Sequence, residues 1–219
     1  MVPDRDDPGC RKTSELKLAG FLAKSSVNGP GIRAVVWVQG CPIRCSGCFN
    51  SKLLSFSGGK AVQPADLAEK ILGLDDIDGV TFSGGEPFSQ AGPLAELGTL
   101  LRPAGLSVVT FTGFTWEQII SKDRLSWSRL LSVTDLLLAG PYRKGTITTP
   151  GGGPAPTGKC GLWLFEGKPA NVPVASNPVS NGVCTEIEFS IHRDGQTVIT
   201  GFPGQRLVRE LAADSDAGQ

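Results

Sequence analysis

Three of the six cysteines in this chain of 219 residues lie within one short stretch, "VVWVQGCPIRCSGCFN". Cys41, Cys45 and Cys48 have the spacing C-x3-C-x2-C. Thiolates are soft ligands that suit zinc and iron–sulfur clusters, so the spacing indicates a metal site. Three ligands are one fewer than a closed tetrahedral site needs, and the identity of the fourth ligand decides the chemistry.

Four interpretations of these thiols remain open from the residues alone. A disulfide would pair two of them and leave one over. A structural zinc site needs a fourth ligand from a distant position, either the single histidine, His192, or one of the other cysteines, Cys10, Cys160 and Cys184. A ferredoxin-like electron carrier would take its fourth thiolate from Cys160 or Cys184. A 4Fe-4S cluster could instead keep one iron open for a cofactor or substrate.

A second motif of interest lies in "TFSGGEPFSQ", which contains Ser83, Gly84, Gly85, Glu86 and Pro87. Glycines allow a backbone to approach a ligand closely, and a carboxylate accepts hydrogen bonds from an ammonium group. Taken alone, the same residues also suit an ordinary turn between a strand and a helix.

Composition and charge narrow the class of protein. Lys plus Arg equals Asp plus Glu at 21 each, which gives no electrostatic argument for nucleic acid or an anionic membrane. No apolar run approaches the ~18 residues of a membrane span. The start, "MVPDRDDPGCRK", lacks the apolar core of a signal peptide. We therefore expect a cytoplasmic protein without nucleic-acid or membrane partners, whose cysteines bind metal or act in catalysis.

Apolar runs and amphipathic segments alternate along the first two thirds of the chain. The pattern predicts strands over 32–39, 79–87, 106–113 and 134–140, and helices over 63–73, 92–105 and 115–131. Such alternation is typical of βαβ units, so we predict an α/β fold with parallel strands. Ligands of such folds bind beyond the carboxyl ends of the strands, where both motifs lie.

The ends of the chain differ from this central part. We expect a flexible arm over 1–14, one domain over 15–203 and a tail over 204–219. Proline and glycine cluster around 141–184, which indicates a long insertion within the domain. The segment "TEIEFSIHRDGQTVITGFP" alternates around an Asp-Gly pair and predicts a C-terminal β-hairpin.

The two motifs together resemble those of the radical SAM superfamily, in which the cysteine motif follows the first strand and a GGEP motif follows the second. The resemblance implies a partial (β/α) barrel and a 4Fe-4S cluster on Cys41, Cys45 and Cys48. It implies that S-adenosylmethionine chelates the open iron and is cleaved reductively to methionine and a 5′-deoxyadenosyl radical, which abstracts hydrogen from a substrate. It also implies that the methionine end of this cofactor is held by the second motif, Ser83, Gly84, Gly85, Glu86 and Pro87.

Longer segments resemble one branch, the glycyl-radical-enzyme activases. They are "VNGPGIRAVVWVQGCPIRCSGCFN", "GVTFSGGEPFSQ", "VVTFTGFTWEQI" and "TDLLLAGPY", which together cover roughly 27–142. The first two resemble both pyruvate formate-lyase activases and anaerobic ribonucleotide reductase activases, and the last two favour the reductase type. The resemblance implies a glycyl-radical enzyme on a separate chain and flavodoxin or ferredoxin as electron donor.

Further site residues and departures follow from this resemblance. Thr112 and Gly113 are candidates for contact with the nucleoside, although a strand end explains them equally well. Asn28 is a candidate for orienting a group at the site, with a turn as the alternative. Gly47 replaces the common aromatic residue before the last cysteine, and only "VASNPVSNG" stands where an RGSSNQ-like segment is expected. Two other functions stay open: a radical SAM enzyme acting on a peptide or small molecule, and a non-catalytic iron–sulfur or zinc protein.

Overall fold

The computed structural model of the chain describes residues 15–141 together with the strands over 161–164, 187–191 and 197–201. The predicted arm over 1–14, most of the predicted insertion and the tail over 204–219 lie outside the described residues, as do Cys10, Cys160, Cys184 and His192. The proposed domain boundaries therefore stay a prediction.

The described residues form alternating strands and helices, as predicted. The strands are β1 (Leu16–Ser25), β2 (Arg33–Val38), β3 (Lys60–Val62), β4 (Gly79–Gly84), β5 (Ser107–Thr112), β6 (Leu136–Ala139), β7 (Gly161–Leu164), β8 (Ile187–Ile191) and β9 (Thr197–Gly201). The helices are α1 (Pro64–Leu72), α2 (Ala91–Leu101), α3 (Trp116–Ser121) and α4 (Leu125–Val133). Strands β1 and β3 were not predicted, and β7 lies inside the stretch expected to be an insertion.

Seven strands form one open sheet in the order β3-β1-β2-β4-β5-β6-β7. The central strands β2, β4, β5 and β6 are parallel, whereas β1, β3 and β7 pair antiparallel with their neighbours. This confirms a mixed α/β fold with a parallel sheet. The described strands do not close into a barrel, so the partial barrel stays a prediction. Strands β8 and β9 pair antiparallel, as the predicted hairpin requires, and its turn lies outside the described residues.

The core lies between one face of this sheet and the helices. Alternate residues of the parallel strands pack against the apolar faces of α1, α2 and α4 in one buried cluster. Helix α1 shows why these segments are helical: Pro64 opens its first turn, Leu67, Ala68 and Ile71 are buried on one face, and Gly73 follows its last residue. Among the described residues, no helix is long and apolar enough to cross a bilayer.

A buried arginine organises the opposite face at the amino ends of the parallel strands. Arg33 has no exposed surface. Its guanidinium donates to Thr81 Oγ1 at 3.0 Å, to the Val80 carbonyl at 3.0 Å, and to the Ser107 carbonyl at 2.6 Å. Burial lowers the pKa of Arg33 to about 10, and the charge of Asp135 partly opposes this, so the side chain stays charged at neutral pH. Arg33 therefore ties β2 to β4 and β5 at the end of the sheet away from the motifs.

Candidate metal and cofactor site

The cysteine loop leaves the carboxyl end of β2 and is held by backbone hydrogen bonds on both sides. The N–H of Gly40 donates to the Leu53 carbonyl at 2.9 Å, and the N–H of Cys41 donates to the Leu54 carbonyl at 3.1 Å. Within the loop, the N–H of Cys48 donates to the Cys45 carbonyl at 3.2 Å. These hydrogen bonds fix the backbone conformation of the cysteine loop, so its three thiols have defined positions.

The three thiols are free, with Cys41 buried and Cys45 and Cys48 half-buried. Burial raises the pKa of the Cys41 thiol, and the backbone N–H groups of Arg44 and Ile43 oppose this rise by donating to its sulfur. Burial likewise raises the pKa of Cys48, opposed by the backbone N–H of Asn50. N–H groups aimed at sulfur are the interactions that tune iron–sulfur clusters.

The donor set fits an iron–sulfur cluster. Three soft thiols share one loop, with two backbone N–H groups acting on Cys41 and one on Cys48. In the part of the chain that the structure describes, no three Cys, His, Asp or Glu side chains gather around a single metal-ion position. A polynuclear cluster places its thiolates on separate irons, and three soft thiols on one loop suit it in donor chemistry.

The GGEP segment packs directly on the backbone that leads into the cysteine loop. A Cβ atom on Gly85 would lie 2.8 Å from the carbonyl carbon and 3.0 Å from the nitrogen of Gly40. One on Gly84, which has a φ of +99°, would lie 2.7 Å from the nitrogen of Val38. The N–H groups of Gly85 and Glu86 donate to the Val38 and Gly40 carbonyls, each at 2.8 Å. Both glycines are thus required by contact between the two motifs, whatever else approaches them.

The carboxylate of Glu86 connects this segment to the end of β5. Glu86 is 1% exposed. Its Oε1 accepts from Thr112 Oγ1 at 2.8 Å and from the Phe88 N–H at 2.9 Å, while Oε2 accepts from the Gly113 N–H at 2.9 Å. Burial raises the pKa of Glu86 to about 7, and its hydrogen bonds from Phe88, Gly113 and Thr112 oppose the rise. The sequence suggested this carboxylate as an acceptor for an ammonium group; in the structure both of its oxygens also hold neighbouring protein segments.

Thr112 and Gly113 lie beside the cysteine loop. A Cβ atom on Gly113 would lie 2.6 Å from Cδ1 of Ile43, which is in that loop. A cavity of about 430 Å³ opens here, lined by Pro42, Ile43, Gly113, Phe114, Thr115, Gln118 and Pro141. The cavity joins the two segments that were predicted to hold the cluster and to meet the nucleoside.

The remaining predicted residues differ in their places. Ser83 is half-buried at the end of β4, opposite Trp37 of β2, and Pro87 is buried directly after Glu86. Asn28 is buried, with Nδ2 donating to Ser25 Oγ at 2.8 Å and its carbonyl accepting from Thr81 Oγ1 at 2.7 Å. These contacts of Asn28 are with the last residue of β1 and the middle of β4. By contrast, the contacts of the other predicted site residues lie at the carboxyl ends of the strands.

Three residues at the site were not predicted. Ile43 contacts Gly113, as described above, and Asn50 Nδ2 donates to the Gly84 carbonyl at 3.4 Å. Gln90 Nε2 donates to the Gln39 carbonyl at 2.9 Å, next to the start of the cysteine loop. Asn50 and Gln90 each end a quoted motif, which is the one signal in the sequence that could have indicated them.

Comparison with known proteins places the chain in a family. Residues 27–150 match the model of the family described as "4Fe-4S single cluster domain", which is more than half of the chain, and the chain belongs to this family. The match spans β2, the cysteine loop, the GGEP segment and β5. It supports the predicted 4Fe-4S cluster.

Among individual proteins, the chain is similar to activating enzymes. It is 34% identical over 118 residues to the pyruvate formate-lyase-activating enzyme of Clostridium pasteurianum, which covers 51% of this chain and 46% of the relative. It is 35% identical over 122 residues to that of Listeria monocytogenes, covering 52% and 48%. It is 31% identical over 130 residues to the pyruvate formate-lyase 1-activating enzyme of Escherichia coli, covering 56% and 50%. The chain thus spans about half the length of these relatives. Together with the family match, these similarities confirm the predicted resemblance to the activase branch, with its S-adenosylmethionine cofactor.

Proposed function

We propose that this chain is a radical SAM oxidoreductase that activates a glycyl-radical enzyme by abstracting hydrogen from its glycine. One observation carries the proposal. The segments expected to hold the cluster, the methionine end and the nucleoside are tied together by Gly85 against Gly40 and by Glu86 on Thr112 and Gly113. An isolated metal loop would not need these two contacts.

In this proposal Cys41, Cys45 and Cys48 bind three irons of a 4Fe-4S cluster and leave the fourth iron for S-adenosylmethionine. When bound, the cluster supplies one-electron reductive cleavage of this cofactor to a 5′-deoxyadenosyl radical. The residues of the chain position the reactants and exclude water. Burial of Cys41 and Glu86 supports this role, since both lie where the two motifs meet.

The methionine end of the cofactor is assigned to Ser83, Gly84, Gly85, Glu86 and Pro87. Backbone groups of this segment are close to the cysteine loop, which supports the assignment. Thr112 and Gly113 are assigned to the nucleoside, supported by the cavity beside Gly113.

Asn28 has less support than the other assigned residues. It remains a candidate for orienting a group at the site. Its contacts with Ser25 and Thr81 suit a structural role equally well.

The target is a glycyl-radical enzyme on a separate chain. The sequence favours the anaerobic ribonucleotide reductase type, through "VVTFTGFTWEQI" and "TDLLLAGPY". The relatives that match carry the name of pyruvate formate-lyase activation, which makes that enzyme the second candidate. The proposal further includes flavodoxin or ferredoxin as electron donor and a cytoplasmic location.

The test of the reaction class is cleavage of S-adenosylmethionine. The full chain is loaded anaerobically with iron and sulfide, reduced with dithionite, and assayed chromatographically for 5′-deoxyadenosine. We expect the wild type and Cys184→Ala to form it, and Cys45→Ala to form none. A well-loaded wild type without product would contradict the proposal and favour a non-catalytic iron–sulfur or zinc protein.

The test of the target is the glycyl radical itself. The loaded chain is incubated with S-adenosylmethionine, reductant and either anaerobic ribonucleotide reductase or pyruvate formate-lyase, and the radical is counted by EPR. A glycyl doublet on one of the two identifies the target type. Formation of 5′-deoxyadenosine without a radical on either protein would favour a peptide or small-molecule substrate.

A further inference from the structure

The side chain of Gln90 reaches away from the helix that it precedes. Gln90 ends the short helix Pro87–Gln90 after the GGEP segment and is the N-cap residue of α2, yet its side chain makes no hydrogen bond to the first turn of α2. Short polar side chains at this position usually accept from a backbone N–H of that turn. The longer, half-buried side chain of Gln90 is directed to the sheet instead.

The Gln90 amide meets the backbone of β1 with both of its polar atoms. Oε1 accepts from the Lys17 N–H at 2.7 Å, and Nε2 donates to the Lys17 carbonyl at 3.1 Å. This is the two-bond pattern that a residue of an antiparallel strand forms with its partner. The two bonds fix the orientation of the amide plane of Gln90 relative to β1.

The same amide nitrogen also binds the point where β2 becomes the cysteine loop. Nε2 of Gln90 donates to the Gln39 carbonyl at 2.9 Å, and the N–H of Gln39 donates to the Lys17 carbonyl at 2.9 Å. A side-chain amide nitrogen carries two hydrogens, so the two carbonyls use both of them. Gln90 thus joins the end of the GGEP segment to the residue directly before Gly40.

The side chain of Gln39 continues this connection across the cysteine loop. Its Nε2 donates to the Ser55 carbonyl at 2.6 Å, beyond the last of the three cysteines. Gln39 is 6% exposed and packs closely on Gly59, where a Cβ atom would lie 2.9 Å from the Cβ of Gln39. We call Gln39 and Gln90 the amide brace. It connects the entry of the cysteine loop, its exit and the GGEP segment.

The GGEP segment is therefore attached to the loop entry at two separate places. Its first part contacts Gly40 directly, since the Glu86 N–H donates to the Gly40 carbonyl at 2.8 Å. Its end holds the preceding residue, Gln39, through the Gln90 side chain. Two attachments fix both the distance and the orientation between two segments, whereas a single attachment leaves rotation about it. Supporting contacts of this kind are what hold a functional site in its productive geometry.

We propose that Gln39 and Gln90 are positioning residues that set the cysteine loop against the GGEP segment, and thereby the cluster against the cofactor assigned to that segment. This inference rests on the proposed function. Both residues act through backbone groups next to Gly40 and at Ser55 rather than by touching the reacting groups. Because a misplacement of ~1 Å at a reacting centre lowers rates by large factors, support of the loop entry has a consequence for the reaction.

A purely structural role for the amide brace is the alternative. Polar side chains commonly satisfy buried backbone groups, and loss of such bonds lowers the stability of a whole domain. The two roles differ in where the loss acts. A structural role predicts faster opening of the entire sheet, whereas a positioning role predicts faster opening that is confined to the cysteine loop and the GGEP segment.

The first measurement is hydrogen exchange, followed by mass spectrometry, of the full cluster-loaded chain under anaerobic conditions. We compare the wild type with Gln90→Leu, Gln90→Glu and Gln63→Leu. The last is a matched control, because Gln63 is the half-buried N-cap residue of α1, makes no capping bond and has an exposed bond from Nε2 to Glu15 at 3.3 Å. Gln90→Glu keeps the size of the side chain and the acceptor for Lys17 but loses both donated bonds, so it serves where Gln90→Leu does not fold.

In both Gln90 variants, peptides covering the cysteine loop (39–55) should exchange about fivefold faster, since hydrogen bonds at the loop entry are lost. Reference peptides from β5 and α4 should keep wild-type rates, and Gln63→Leu should match the wild type throughout the chain. Unchanged exchange in the loop, or equal acceleration in the loop and the reference peptides, would overturn the inference.

The second measurement is an EPR titration of the reduced, cluster-loaded proteins with S-adenosylmethionine. We expect the concentration that gives half of the spectral change to rise about tenfold in the Gln90 variants at unchanged iron content, because the two parts of the site are misplaced. Gln63→Leu should titrate as the wild type does. Equal half-change concentrations in Gln90→Leu and the wild type would contradict the positioning role. Failure of the proposed function would appear separately, as a wild-type signal that the cofactor does not change, while exchange still measures the amide brace.

Discussion

At the scale of single residues, Gly85 is the tightest point of the site. Its Cα faces the backbone of Gly40, one residue before Cys41, at a distance that excludes even a methyl group. The requirement is one of space, because a side chain there would push the GGEP segment away from the cysteine loop.

Gly85→Ala is expected to lower both iron loading and the rate of 5′-deoxyadenosine formation, the latter by about tenfold or more, as misplacement by ~1 Å does at reacting centres. Gly73→Ala is the matched control, since its nearest neighbour, the Glu69 carbonyl, would lie at an ordinary 3.5 Å from the new Cβ. Iron and sulfide analysis with the product assay checks this. Normal loading and activity in Gly85→Ala would contradict the assigned contact.

Thr112 links Glu86 to the β5 end through its hydroxyl. Its Oγ1 donates to Glu86 and accepts from the Phe114 N–H at 3.1 Å. Thr112→Val removes both bonds, and loss of about 1 kcal/mol of positioning should raise the KM for S-adenosylmethionine roughly fivefold with little change in kcat. Thr110→Val loses a comparable bond, to Thr134, away from Glu86 and should leave the KM unchanged. Equal KM values for the two variants would remove Thr112 from the cofactor site.

Glu86 also predicts a pH dependence of stability. Its folded-state pKa is raised to about 7 by burial, from an ordinary 4.5. A raised pKa means that the folded state binds more protons, so this contribution is present below about 4.5 and is lost as pH rises through about 7. The wild-type melting temperature should therefore fall more than that of Glu86→Gln between pH 5 and 8. Parallel curves for the two proteins would show that the carboxyl is not buried as described.

At the scale of elements, the parallel strands of the sheet could be predicted from the sequence, whereas the strands β1 and β3 at one side of the sheet could not. Strands β2, β4 and β5 are buried along most of both faces and are rich in valine and aromatic residues, which gives a strong signal. Strand β1 has mostly half-buried positions without alternation, and β3 has three residues, so neither has a clear period.

The site shows the same division between local and non-local information. Spacing revealed the three cysteines and the GGEP segment. The contact of Gly85 with Gly40 and the bond of Glu86 to Thr112 join residues 45 and 26 positions apart, which no local pattern encodes.

Substitution of Arg33 tests how the parallel strands are held together at their amino ends, away from the two motifs. Arg33→Met would leave the carbonyls of Val80 and Ser107 without this donor inside the protein. We expect a loss of about 2–4 kcal/mol in the free energy of unfolding, as for other buried polar groups that lose a charged partner. Lys24→Met, with an exposed ion pair, should change it by about 0.5 kcal/mol or less. Urea unfolding measures both, and similar values for the two variants would contradict the structural role of Arg33.

At the scale of the whole molecule, averages conceal what the arrangement shows. A net charge of zero gave no electrostatic expectation, yet charge is uneven along the chain, because the stretch 16–65, which includes the whole cysteine loop, contains no aspartate or glutamate. The helices of the core pack on one face of the sheet, and both motifs meet at the carboxyl ends of its parallel strands. The cysteine loop therefore lies beside a cavity, between Ile43 and Gly113, to which the end of β5 also contributes.

The most direct test of the central claim is the EPR spectrum of the reduced, cluster-loaded chain before and after addition of S-adenosylmethionine. The account predicts one 4Fe-4S cluster per chain whose signal changes when the cofactor is added, because the fourth iron gains a new ligand. The same change should occur in Cys184→Ala, which keeps all three loop thiols. A signal unchanged by the cofactor in a fully loaded wild type would mean that no iron is open, and the chain would then not be a radical SAM enzyme.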